Sequence, residues 1–313
     1  MPAIPRRYIA SLFALAVVAA ACTSGKDGVG PSRSPANPNS IRALKQGATE
    51  ISLLGGLGSH PADAVQTGTS SFIFDLSPGS GQVIEGGRPK LYLAKDEDSD
   101  ALGPFTATWS PFTGYEKTGD TSPKSSIPGV FWTEVDVPSP GVWTVAVTAE
   151  NDGRPVFGEG NAYFRDDVIA AVGSKALSVK TPVATTPAGL RKICTREPPD
   201  PMHSISLDEA LANGKPTVVS FATPLLCESR LCGPVVDEQM LVYRKVGADR
   251  ANFIHVEEFP DRDPTKPAPT FTAWGFQTEP WVIVIDAKGI IRARFEGPAT
   301  AEMIEAALDP LLA

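Results

Sequence analysis

The chain has 313 residues, of which 42% are hydrophobic and 20% charged, and its formal net charge is −8. This length exceeds that of one typical domain, and the composition is that of a globular protein, so two domains are expected. An acidic chain without a basic cluster is not expected to bind nucleic acid. The sequence also lacks the glycine-rich motifs of Walker and Rossmann nucleotide-binding loops.

The N-terminus has the features of a signal peptide over residues 1–21. Two early arginines precede the apolar run Ile9–Ala21, which is too short for a typical transmembrane span. Three alanines before Cys22 resemble the bacterial lipobox, which implies lipidation of that cysteine and anchoring on the extracytoplasmic side of the cell membrane. A plain secretory signal with an incidental Cys22 is the alternative. Residues 22–44, rich in Ser, Gly, Pro and Asn, are predicted to be a flexible tether.

Residues 45–170 show short alternating stretches separated by turn signals, for example Ser71–Leu76 and Lys90–Ala94. Such spacing predicts an all-β sandwich. The segments Pro128–Trp132 and Pro140–Val145 resemble the paired strands of small immunoglobulin-like modules of the YtkA type. Some relatives of those modules handle copper, but no metal-ligand cluster is evident in this part of the sequence. The aromatic side chains are assigned to the core, and the alternative is a surface patch that docks a partner.

A proline-rich connection is predicted for residues 171–204, most of it extended and poorly packed. Within it, Leu190–His203 contains Cys194 and other residues that a pure linker would not need. This segment, called the strap below, is expected to lie on the domain that follows.

The pattern of the C-terminal residues 205–313 predicts an α/β unit built around two cysteines. The apolar, β-branched stretch Thr217–Phe221 predicts a buried strand, and Gly233-Pro234 predicts the start of a helix. Cys227 and Cys232 lie between them. The partial positive charge of a helix N-terminus favours a thiolate, so the pKa of Cys232 is expected to be lowered.

The elements after the cysteine helix are a strand, a loop, two further strands and a final helix. Glu279-Pro280 directly precedes the first strand of the last pair, Trp281–Asp286. This order resembles the thioredoxin superfamily over residues 205–313. The resemblance implies a thioredoxin-like fold, a cis peptide bond before Pro280 beside the active cysteines, and disulfide exchange.

The cysteine motif departs from that of thioredoxins, which carry C-x-x-C. Here Cys232 keeps the C-G-P sequence, Val235 stands where the second cysteine belongs, and Cys227 lies five positions upstream. The resulting C-x4-C is closer to the C-x3-C loop of Sco-type copper chaperones without matching it. This departure puts ordinary reductase activity in doubt, whereas a redox pair of Cys227 and Cys232 remains compatible with the spacing.

Three cysteines remain besides Cys22, and outside the cytoplasm thiols oxidise. The leading interpretation pairs Cys227 with Cys232 and leaves Cys194 free or as a resolving thiol. In a second interpretation Cys194 forms a structural bond with one loop cysteine, and the other is reactive. In a third, the Cys227–Cys232 bond is only a structural link.

His255 lies on a predicted strand, where a hydrogen-bonded structural role is favoured over a functional one. The functional hypothesis is extracytoplasmic thiol–disulfide exchange by Cys227 and Cys232 with Pro280 shaping the substrate groove, and no cofactor is predicted for it. One alternative is Cu(I) bound by Cys227, Cys232 and His255. Another is a non-catalytic binding module. Glu279 could accept a proton near the sulfurs or lie at the surface.

Overall fold

The computed structural model describes residues 37–55, 65–114, 127–227, 229–259 and 262–312. The predicted signal peptide, Cys22 and the first part of the predicted tether lie outside these residues. The described residues from Asn37 onward belong to one compact unit. Within them, every helix is too short or too polar to cross a membrane.

Residues 37–44 are folded, so the prediction of a flexible tether reaching residue 44 is wrong for this stretch. Helix α1 (Ile41–Leu44) begins after Ser40, whose hydroxyl accepts a hydrogen bond from the Ala43 N–H. Ile41 is completely buried. Its apolar side chain joins a small core and thereby fixes the segment; its buried neighbours there are Ala94, Ala146 and Phe157.

Nine strands in the first part of the chain form one hydrogen-bonded sheet. The strands are β1 (Thr49–Leu54), β2 (Val65–Gln66), β3 (Gly68–Ser77), β4 (Lys90–Ala94), β5 (Leu102–Thr106), β6 (Thr108–Pro111), β7 (Gly129–Val137), β8 (Gly141–Asn151) and β9 (Arg154–Arg165). Their order in the sheet is β5-β4-β8-β9-β1-β3-β7-β6, with β2 also paired to β9. All pairs are antiparallel except β1–β9 and β2–β9, which are parallel.

This sheet curls around one apolar core. Leu91 on β4 and Phe131 on β7 lie near opposite ends of the strand order and yet belong to the same buried cluster. The Thr133 hydroxyl of β7 donates to the Thr106 carbonyl of β5 over 3.3 Å, so the two ends approach each other. The large aromatic residues Phe72, Phe74 and Trp143 are buried in this core, as their assignment from the sequence requires. The immunoglobulin-like assignment and the division into two domains stay predictions.

The later described elements are α2 (Pro187–Ile193), α3 (Leu207–Ala212), β10 (Thr217–Phe221), α4 (Cys232–Val246), β11 (Asn252–Val256), α5 (Pro269–Trp274), β12 (Trp281–Ile285), β13 (Ile291–Glu296) and α6 (Ala301–Leu308), followed by a 3-10 turn, Asp309–Leu311. The four strands form a second sheet in the order β11-β10-β12-β13. Strand β11 is parallel to β10, whereas β12 is antiparallel to both β10 and β13.

Both faces of this sheet are covered, which explains why β10, β11 and β12 are buried at every position. Side chains alternate along a strand. Val218 therefore packs into a core with residues of α4 and α6, and Val219 packs into a second core with residues of α3 and α5. The mostly apolar runs of these strands, without a regular alternation of polar residues, are typical of a sheet covered on both faces.

Helix α4 is also held by hydrogen bonds to the residues that follow β6 and to the start of α6. The Glu238 carboxylate accepts hydrogen bonds from the N–H groups of Thr113, Gly114 and Ala301. A Cβ atom at Gly114 would lie 2.6 Å from the Asp237 backbone, so this close approach requires glycine. These contacts fix the helix that carries Cys232.

Candidate functional site

A disulfide joins Cys227 and Cys232 where β10 leads into α4, with Cα atoms 5.9 Å apart. The predicted pairing of Cys227 with Cys232 is thereby confirmed, and Cys194 carries a free, buried thiol. The loop after β10 brings Cys227 back to the start of the helix. Cys232 is the first residue of α4 itself, one position earlier than the sequence predicted.

The two sulfurs differ in exposure. Cys232 is fully buried, whereas Cys227 is only partly buried. The Cys227 Sγ accepts a hydrogen bond from the Cys232 N–H over 3.2 Å and lies 3.3 Å from the Ser229 hydroxyl. An N–H at the first helical turn stabilises negative charge on the atom that it faces. The geometry therefore favours Cys227, rather than the predicted Cys232, as the stabilised thiolate after reduction.

Glu279 lies beside this disulfide, and Pro280 follows it in the chain. The Glu279–Pro280 peptide bond is cis, as the resemblance implies, and Pro280 leads directly into β12. A Glu279 carboxylate oxygen lies within 4.8 Å of both sulfurs. Glu279 is therefore next to the sulfurs rather than on a distant surface.

The Glu279 carboxyl holds its proton at neutral pH. Burial, reinforced by the nearby carboxylates of Glu258 and Glu257, raises the pKa of Glu279 to about 8, although a hydrogen bond with Thr223 opposes the rise. A carboxyl with a pKa near neutrality can exchange a proton with an adjacent sulfur.

The strap forms a second, separate cluster with β11. The Asp200 Oδ2 lies 3.3 Å from the Cys194 Sγ, 2.8 Å from the His255 Nδ1 and 3.6 Å from the His203 Nε2. Burial opposes the ionisation of Asp200, but His255 and His203 outweigh it and hold the pKa of this carboxyl well below its ordinary value. Burial likewise opposes the charging of His255, and Asp200 raises its pKa well above the usual range.

His255 belongs to this second cluster and not to the group formed by Cys227, Cys232 and Glu279. Cys227 and Cys232 are grouped with Glu279, whereas His255 is grouped with Cys194. The structure thus does not bring together the Cu(I) ligand set of Cys227, Cys232 and His255. The favoured expectation of a hydrogen-bonded His255 is confirmed by its contacts to Asp200 and to the Ala222 carbonyl.

Asp200 and His203 were missed as site residues, although Cys194, Asp200 and His203 follow one another within ten positions. One contact from the strap and one from β11 reach the segment between β10 and Cys227. The Thr195 hydroxyl accepts from the Leu225 N–H over 3.1 Å, and the Ala222 carbonyl lies 2.8 Å from the His255 Nε2. The second cluster therefore supports the loop of the disulfide.

No protein-family model and no curated protein matches this sequence. Parts of three solved structures are similar to parts of the chain. A secreted thiol-disulfide isomerase from Corynebacterium glutamicum is 14% identical with a TM-score of 0.26, over 34% of this chain and 75% of that one. A thioredoxin-like superfamily protein is 13% identical with a TM-score of 0.32, over 45% and 97%. A thioredoxin-family thiol:disulfide interchange protein from Chlorobium tepidum is 15% identical with a TM-score of 0.28, over 45% and 100%.

The fold assignment rests on the topology of the second sheet. A β-α-β unit gives the parallel pair β10 and β11, and an antiparallel β12–β13 hairpin followed by α6 completes the sheet on the other side of β10. The cysteines lie at the start of the helix that follows the central strand, and a proline precedes β12. The C-terminal part of this chain therefore has the topology of a thioredoxin-like fold.

Proposed function

We propose that the chain catalyses thiol–disulfide exchange on proteins outside the cytoplasm, with Cys227 and Cys232 as the redox pair. The observation that carries the proposal is the position of the disulfide at the N-terminus of α4, with Cys227 on the accessible side. A sulfur that is partly exposed and faces a helix N–H suits the attacking role. A sulfur buried behind it suits the resolving role.

In the reducing direction, the Cys227 thiolate attacks one sulfur of a substrate disulfide. The substrate bond breaks, one substrate sulfur leaves as a thiolate, and a mixed disulfide with Cys227 forms. Cys232 then loses its proton and attacks the Cys227 sulfur, which releases the second substrate thiolate. The substrate gains two electrons and takes up two protons, and the protein is left with the Cys227–Cys232 bond. The reverse sequence oxidises a substrate dithiol.

Glu279 and Pro280 assist this exchange in different ways. The Glu279 carboxyl, within 4.8 Å of both sulfurs, exchanges a proton with the resolving thiol most readily near its pKa of about 8, where both of its protonation states are populated. Pro280, next to Glu279 at the start of β12, shapes the groove that receives the substrate segment. Both are positioning or proton-transfer roles, since the electrons move only between sulfur atoms.

Localisation is part of the same proposal. Residues 1–21 direct export, Cys22 is lipidated, and the lipid holds the protein on the extracytoplasmic side of the membrane. Residues 45–170 form an immunoglobulin-like module that holds the thioredoxin-like residues 205–313 away from the bilayer. The sequence immediately before Cys22 supports this part of the proposal.

Replacing Cys22 by alanine is expected to move the protein from the detergent phase to the aqueous phase in a detergent phase-partition assay, because the lipid would have no attachment site. A matched Cys194→Ala variant should partition as the wild type does. Equal partition of the Cys22→Ala variant and the wild type would contradict lipid anchoring and favour a plain secretory signal.

The exchange proposal is tested by trapping the mixed disulfide. In a Cys232→Ser variant the Cys227 thiolate can still attack, but nothing resolves the product, so covalent complexes with extracytoplasmic proteins should accumulate on non-reducing gels. A Cys227→Ser variant should give none, because Cys232 is fully buried. The double variant Cys227→Ser/Cys232→Ser reports any contribution of Cys194.

The second readout is the reduction potential of the Cys227–Cys232 disulfide, measured by equilibrating the protein with glutathione. Structural disulfides have potentials below about −300 mV, and exchange requires a higher value. A potential below that limit, together with an absence of trapped complexes in the Cys232→Ser variant, would mark the bond as a structural link. Full cellular function in the double variant would instead favour a non-catalytic binding module.

A further inference from the structure

The buried cluster between the strap and β11 contains four metal-binding groups of three chemical types. The Cys194 thiol, the Asp200 carboxylate and the rings of His203 and His255 each offer one donor atom, and these four atoms lie within 4.8 Å of one another. Each of the four residues is at most 2% exposed. We propose that this cluster binds one divalent transition-metal ion of the zinc class.

The distances from Asp200 to the other three donors are close to those of a tetrahedral site. Bonds of about 2.0–2.3 Å to nitrogen, oxygen and sulfur place neighbouring ligand atoms about 3.2–3.8 Å apart. From the Asp200 Oδ2, the Cys194 Sγ is 3.3 Å and the His203 Nε2 is 3.6 Å away, so both distances already lie in this range. The His255 Nδ1, at 2.8 Å, has to move outward by about half an ångström.

The His203 ring supplies an independent observation that points to a ligand. Its Nε2 is buried and has no hydrogen-bond partner among the described residues, although it faces the other three donors. A buried polar atom without a partner is costly, and such atoms are rare in folded proteins. A metal ion at the centre of the cluster provides this missing partner.

The groups that hydrogen-bond to the proposed ligands are arranged as in known metal sites. A ligating histidine usually donates its second ring N–H to a carbonyl or a carboxylate. The His255 Nε2 lies 2.8 Å from the Ala222 carbonyl, so Nε2–H donates there and Nδ1 is the nitrogen that gives up its proton to bind the metal. The second oxygen of Asp200 accepts the Met202 N–H over 3.0 Å, which fixes the orientation of this carboxylate.

Charge balance explains why full burial is tolerated. A thiolate, a carboxylate and two neutral imidazoles around a divalent cation sum to zero, so no net charge is removed from water. Four protein ligands and no solvent access describe a closed, structural site rather than a catalytic one. The ion would fix the strap to β11 and, through Ala222, support the loop that leads to Cys227.

Metal binding is tested on the full chain in detergent, refolded with and without Zn²⁺ and then dialysed. We expect one equivalent of retained Zn²⁺, a higher midpoint of thermal unfolding in its presence, and, with Co²⁺ as the probe, an absorption band for thiolate-to-metal charge transfer. Replacing one outer-shell group of a metal site weakens binding by about 10–100-fold. The His203→Gln and Cys194→Ser variants, which remove direct ligands, should therefore lose at least about 100-fold in Zn²⁺ affinity.

Two controls locate the ion. The Cys227→Ser/Cys232→Ser variant and a variant of the third histidine, His60→Gln, should both keep the equivalent of Zn²⁺. Loss of the ion from the Cys227→Ser/Cys232→Ser variant would assign it to the disulfide group and overturn the proposal. So would a wild-type chain whose metal content and unfolding midpoint do not respond to Zn²⁺, a result that is readable even if a ligand variant fails to fold.

Discussion

Replacing Arg196 by methionine is expected to destabilise the folded protein by about 3–5 kcal/mol, because it removes the guanidinium that pairs with the buried Asp237 carboxylate. Arg196 is 1% exposed and Asp237 is fully buried. The guanidinium donates to the Asp237 Oδ1 from Nε over 3.0 Å and from Nη2 over 2.7 Å. Chemical denaturation of the oxidised protein at neutral pH measures the change, which is a large part of the 5–15 kcal/mol that stabilises a typical domain.

A double variant separates the cost of a broken ion pair from the value of an intact one. In Arg196→Met/Asp237→Leu both charges of this pair are removed together, so most of the lost stability should return. The matched surface control is Arg42→Met, which removes an exposed guanidinium paired with Asp98 and should behave as the wild type does. If Arg196→Met is as stable as Arg42→Met, the buried pair does not fix the strap to α4.

The C-terminal fold could be predicted from the sequence because its strands are buried on both faces. Trp281–Ile285 is an uninterrupted apolar run, and Thr217–Phe221 is an apolar and β-branched stretch interrupted only by Ser220, so both predict buried strands without information from distant residues. Helix α2 was missed, because the proline-rich composition around it indicates an extended chain. Its signal is nevertheless present, since Thr186 precedes Pro187 and its hydroxyl accepts the Gly189 N–H.

Tertiary contacts explain the parts of the site that local patterns could not give. Ser206 occupies the N-cap position of α3, but its hydroxyl accepts the Thr181 N–H and donates to the Asp208 carboxylate instead of capping the helix. His255 lies 55 positions from Asp200, and only the packing of the strap on β11 brings them together. The different exposure of the two sulfurs follows in the same way from where α4 begins.

Replacing Glu279 by glutamine is expected to remove a pH dependence of both stability and exchange. The folded-state pKa of Glu279 is raised to about 8 by burial, against an ordinary value near 4.5. Between these two values the folded state binds more protons than the unfolded state, so the stability that this group contributes is complete below about pH 4.5 and is lost as the pH rises through 8. Glutamine does not ionise, so the variant should gain roughly 2–4 kcal/mol on the wild type between pH 5 and pH 8.

The effect on the sulfurs distinguishes Glu279 from other buried carboxyls. Ionisation of Glu279 near pH 8 places a negative charge within 4.8 Å of both sulfurs and thereby raises the pKa of the attacking thiol. The pH profile of exchange should therefore lose a step near pH 8 in Glu279→Gln. Asp75→Asn is the matched control, because burial raises the pKa of Asp75 to about 7 within the nine-stranded sheet. The Asp75→Asn variant should flatten the pH dependence of stability and leave the pH profile of exchange unchanged. If the exchange profile of Glu279→Gln instead follows that of the wild type, Glu279 has no part in the chemistry of the sulfurs.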